Sequence, residues 1–128
     1  MAQVLAVIHS RPKDALKNAI TAMSCGCDGV FFISHGDMTP AELLYLSDSD
    51  VFPNPQGVNL LGFSVVDAMN MVGSRASMLW SDYTPSGLER ETLESEKHDM
   101  SFSGLFFGGV AFKYQPQPSD LMQAEKEV

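Results

Sequence analysis

GVFFISHGDMTPAELLYL, residues 29–46, holds in one stretch the two patterns from which the fold is read. Its first seven residues form a short apolar run of the kind that makes a buried strand. The start of a helix comes next: Thr39 can cap, Pro40 occupies the first helical position, and Glu42 completes a capping box. Strand, loop and capped helix in that order make one βα unit.

Working outward, the same alternation repeats along the chain. VLAVIH, residues 4–9, is continuous and rich in β-branched residues, as a parallel strand covered on both faces requires. A helix over Pro12–Met23 comes after it, with Ala15, Leu16, Ala19, Ile20 and Met23 at helical spacing. Ser10 or Arg11 begins it, Pro12 suits its first turn, and Gly26 ends it. Beyond the turn-rich stretch containing Pro53, Asn54, Pro55 and Gly57, the third strand is VNLLGF, residues 58–63. Ser64 caps a third helix with an inward stripe of Val65, Ala68, Met69 and Val72. MLWSDY (78–83) is the fourth strand, and Thr84 with Pro85 starts an acidic, mostly solvated helix over 88–97. SGLFFGGVAF (103–112) is the fifth strand, and Ser119 caps a short final helix.

The chain has 128 residues, 45% hydrophobic and 19% charged, which suits one soluble globular domain with a real core. Eight basic against sixteen acidic residues give a net charge of -8 and no basic run, so nucleic acid and anionic membrane surfaces are not expected partners. The first segment is too short in its apolar part to be a signal peptide or a span, which makes the cytoplasm the expected compartment. Cys25 and Cys27, one residue apart in SCGCDG, are expected as two free, partly buried thiols.

Five βα units fit two arrangements: a five-stranded parallel unit resembling part of a (βα)8 barrel, or a flavodoxin-like doubly wound sheet. Against a receiver domain, strand 1 ends in IHS with no carboxylate. Against a flavin-binding flavodoxin, the loop HSRPKD lacks a Ser/Thr-rich phosphate cradle.

In either arrangement ligands bind at the carboxyl ends of the strands, which places the candidate residues. His9, His35 and Asp82 are the acid and base candidates, because neutral imidazole acts as a base near pH 7. Arg11, Asp37, Gly108, Gly109 and Lys113 are the ligand-binding candidates. Glycines without Cβ atoms let an anion approach main-chain amides, and the two cations add charge. The bland alternatives remain open: a histidine bonded to a loop carbonyl, and a β-bulge at the paired glycines. His35, Asp37 and Asp82 lack a metal-ligand spacing signature, and neither a GxxxxGK[ST] loop nor a GxGxxG fingerprint is present, so no metal or cofactor is expected.

Three segments, CGCDGVFFISHGD, GVNLLG and GLFFGGVAFKYQ, resemble strand regions of (βα)8 barrels of the BtpA-like and phosphate-binding kinds. The resemblance implies the amino-terminal part of such a barrel and a small anionic or phosphorylated ligand, with no catalytic role carried over. A complete barrel takes about 200–250 residues, so three strands would be missing. Open parallel edges then imply a homodimer or higher homo-oligomer. Two functions are compatible with this: an enzyme or binding protein for a small anionic metabolite, or a non-catalytic homo-oligomeric interaction module.

Overall fold

The computed structural model describes residues 2–9, 11–33, 38–53, 55–82, 91–92 and 102–108. Five strands, β1 (Leu5–Ile8), β2 (Gly29–Ile33), β3 (Gln56–Asn59), β4 (Met78–Trp80) and β5 (Leu105–Phe107), pair in parallel in the order β1-β2-β3-β4-β5. Three helices connect the first four strands: α1 (Pro12–Ser24), α2 (Pro40–Leu46) and α3 (Val65–Val72). This is the expected α/β class. Strand order follows chain order throughout, with none of the reversal that a doubly wound sheet shows at its switch point. Of the acidic segment 88–97 only Glu91 and Thr92 are described, both helical, and the segment after Ser119 lies outside the described residues.

The helix signals act locally and hold. The Thr39 hydroxyl accepts from Glu42 N at 3.2 Å, and the Glu42 carboxylate accepts from Thr39 N at 2.8 Å, a closed capping box. Ser64 caps α3 by accepting from Asp67 N at 3.1 Å. At α1, Arg11 is the N-cap residue without a side-chain capping bond, and Gly26 takes φ 101° just beyond the helix end.

All three helices lie against one sheet face. Ala15 and Ala19 of α1, Leu43, Leu44 and Leu46 of α2, and Ala68 and Val72 of α3 join Ile8, Val30, Phe32, Val58 and Leu79 in one buried cluster. Fully buried alanines at 15 and 19 bring α1 close to its strands. Ile20, expected in the same stripe, is instead 58% exposed, because the helix is seated on its small residues and the wide side chain falls outside the contact.

Alternate strand residues point away from the helices, and there the sheet curls. Phe31 of β2 meets Phe107 of β5 with ring centroids 5.4 Å apart and Trp80 of β4 at 5.9 Å, both edge to face. In a flat sheet β2 and β5 would stand about 14 Å apart, three spacings of roughly 4.8 Å. Rings standing upright on such a sheet would not touch. This second face is therefore concave, with the aromatic rings converging on its axis.

Gly57 makes the convergence possible. A Cβ there would fall 2.7 Å from Phe31 Cε1 and 2.6 Å from the Met78 carbonyl oxygen, so the ring lies over a position that must stay empty.

The third strand starts earlier than expected. Its pairing begins at Gln56 rather than Val58, and Leu60–Phe63 belong to the turn into α3, where Gly62 takes φ 84°. Gln56 N donates to Ser77 Oγ at 3.2 Å, that hydroxyl donates back to Gln56 O at 3.0 Å, and Gln56 Nε2 donates to Arg75 O at 3.0 Å. Those long-range bonds draw a polar residue after a proline turn into the ladder, against its local preference. β2 keeps its expected place, and β1, β4 and β5 keep theirs but are shorter, β4 and β5 spanning three residues each. Trp80 is half-buried, its ring edge to face with Phe31. Cys25 and Cys27 are free, the first exposed and the second half-buried.

Candidate functional site

Parallel strands all end at the same edge of the sheet, and each helix begins within a few residues of that end. His9 follows β1 directly and is exposed. Gly108 follows β5 and is also exposed. Asp82 stands two residues beyond Trp80 and is half-buried. The fold thus brings His9, Asp82 and Gly108 to one edge, as the sequence predicts. Arg11 enters α1 from the same edge, exposed, its carbonyl accepting from Asp14 N and Ala15 N at 2.9 Å each. His35, Asp37, Gly109 and Lys113 lie outside the described residues.

The residue the sequence reading missed is Asn59. It closes β3 in register with Trp80, only 1% exposed, and its Nδ2 donates to Asp82 Oδ1 at 3.0 Å. A hydrogen bond to a carboxylate is stronger than one between neutral groups, and it fixes the direction in which Asp82 presents itself. The signal was a lone amide inside the apolar run GVNLL. A buried amide has to find partners, so it marks a polar site rather than a packing position.

Ile33 and Asn59 are buried at the strand ends of this edge, in register with Trp80 and Phe107, whose rings both meet Phe31 from two residues earlier in β2. Such an arrangement sets carboxylate, amide, imidazole and main-chain groups beside an aromatic cluster.

Its charge is mixed. The first turns of α1, α2 and α3 carry Asp14, Glu42 and Asp67, which offset the positive helix ends. In α2 and α3 the cap side chains also occupy one first-turn amide each. Among the described residues the cations at this edge are Arg11 and Lys13, and the main chain at Gly108 is exposed. No group of three His, Cys, Asp or Glu side chains able to hold a metal ion occurs among the described residues. No described helix is long and apolar enough to cross a membrane.

No protein-family model, no curated protein and no solved structure matches the chain.

Proposed function

We propose that the chain binds a small polar metabolite, anionic or phosphorylated at one end, at the carboxyl edge of its curled sheet. The observation that carries this reading is the Asn59–Asp82 pair held beside the aromatic cluster, since a buried amide that orients a carboxylate at strand ends serves a ligand better than it serves packing. Asp82 and Asn59 would hold hydroxyl or amino groups of the ligand. Arg11 and the Gly108 main chain would hold its anionic end, joined by Gly109 and Lys113 on the sequence assignment. His9 and His35 are the proton-transfer candidates if the bound molecule is turned over. Likeness to BtpA-like and phosphate-binding barrels belongs to the same proposal, supported by the unreversed strand order and the concave aromatic face.

The test is thermal stabilisation by a panel of phosphates, carboxylates and phosphorylated sugars, because a ligand of the folded state alone raises the melting temperature. A phosphorylated member should stabilise the wild type and lose its effect in Arg11→Ala and Asp82→Ala. A uniformly negative panel would reject the reading.

One observation favours a second reading, a self-associating module. Val7 on β1, and Leu105 and Phe107 on β5, are 40%, 62% and 38% exposed, and neither edge strand carries the charge that usually guards an open edge. Light scattering across micromolar concentrations would show mass rising above 14.0 kDa if these edges pair, and a constant monomer if they do not.

A further inference from the structure

Opposite the carboxyl edge, the amino ends of the strands surround a second opening. A cavity of about 260 Å³ is lined by Leu5 at the start of β1, Met78 at the start of β4 and Leu105 at the start of β5, with Asp28, Ser77 and Ser103 among its polar groups. Residues from both outer strands share it, as expected from the curl that joins Phe31 to Phe107.

Its walls are held close by glycines. A Cβ at Gly29 would fall 2.8 Å from the Pro55 carbonyl and 3.0 Å from Leu5 Cδ2, and one at Gly104 would collide with the Ser77 carbonyl. Leu5, Pro55 and Ser77 therefore meet the strand starts directly, and the cavity is formed by the first residues of the strands together with the segments that lead into them.

The lining has a definite chemistry. Leu5, Met78 and Leu105 give an apolar wall, and Leu105 leaves 62% of its surface open. Asp28 is the one charged lining residue among those described. Its Oδ2 accepts from Val4 N at 2.7 Å and its own N donates to Val4 O at 2.7 Å, so the carboxylate is fixed while Oδ1 takes no hydrogen bond among the described residues. A fixed carboxylate beside an apolar wall complements a cation with a short hydrocarbon body and disfavours an anion. The volume lies just below the roughly 300–1,000 Å³ of sites for drug-sized ligands, so the occupant is small.

We infer that this amino-end cavity is a second binding site, for a small aliphatic ammonium compound whose charge pairs with Asp28 and whose body lies on Leu5, Met78 and Leu105. It is independent of the ligand proposed for the carboxyl edge. The two sites call for opposite charge on the ligand and can be tested separately.

The experiment is NMR titration of the ¹⁵N-labelled full chain with cyclohexylammonium, and in parallel with cyclohexanecarboxylate, an anion of similar size. The ammonium compound should give saturable shifts at the Leu5, Asp28, Met78 and Leu105 amides, and the carboxylate none. Asp28→Asn keeps an acceptor for Val4 N while removing the charge. It should weaken ammonium binding by about three- to fivefold, the upper range for a solvent-accessible ion pair. Leu105→Ser should weaken it without changing the preference for the cation. The inference is overturned by unsaturable or scattered shifts, by equal response to both ions, or by an Asp28→Asn variant that folds and binds as the wild type does.

Discussion

Gly57→Ala puts the curvature of the sheet to a direct test. The added methyl would fall 2.6 Å from the Met78 carbonyl oxygen, 2.7 Å from Met78 Cβ and 2.7 Å from Phe31 Cε1. Two of these atoms belong to or adjoin the backbone of the paired strand, and the third belongs to a ring already set against Trp80 and Phe107. None is the free tip of a flexible chain. Overfilling a fitted core costs about 1–3 kcal/mol. Replacing glycine returns roughly 0.4–1 kcal/mol by restricting the unfolded chain. The net loss is therefore about 1–2 kcal/mol.

Urea unfolding followed by the fluorescence of Trp80, the single tryptophan, is the assay. The midpoint should fall with the slope unchanged, since the surface exposed on unfolding stays the same. Phe31→Leu removes the ring atom that the methyl meets. In a double-mutant cycle the pair should cost less than the sum of the singles, by about 0.5 kcal/mol or more. A Gly57→Ala protein as stable as the wild type, or strictly additive costs, would show that the ring does not lie over residue 57. The concave face would then be lost, and with it the aromatic side of the proposed site.

Asn59→Ala should destabilise by about 1.5–3 kcal/mol, the worth of a hydrogen bond to a charged group, and should abolish phosphate-ester stabilisation in thermal shift. Thr39→Ala removes one half of the capping box and should cost about 1 kcal/mol in the same urea assay. Ile20→Ser, at a position 58% exposed, should change stability by less than about 0.5 kcal/mol, whereas a buried isoleucine would cost several times that.

The candidate site was legible in part for a geometric reason. Once five apolar runs are assigned to parallel strands, the residues after each run must share an edge, and His9, Asp82 and Gly108 do so. Asn59 escaped because its importance depends on a neighbour 23 positions away. The third strand's start was misplaced on similar grounds, since Gln56 and Gly57 are turn-like by local preference, and Gln56 is held in the ladder by bonds to Ser77 and Arg75 about twenty positions away.

By itself the sequence determined what is local: where α2 and α3 begin, through Thr39 and Ser64, and which runs become strands, through continuous apolar residues. Tertiary structure alone decided the order and curl of the sheet, the exposure of Ile20 and the pairing of Asn59 with Asp82. Caps and periodicities act within a few residues of chain. Ring contacts between strands and a hydrogen bond across the ladder arise only after distant segments have packed together.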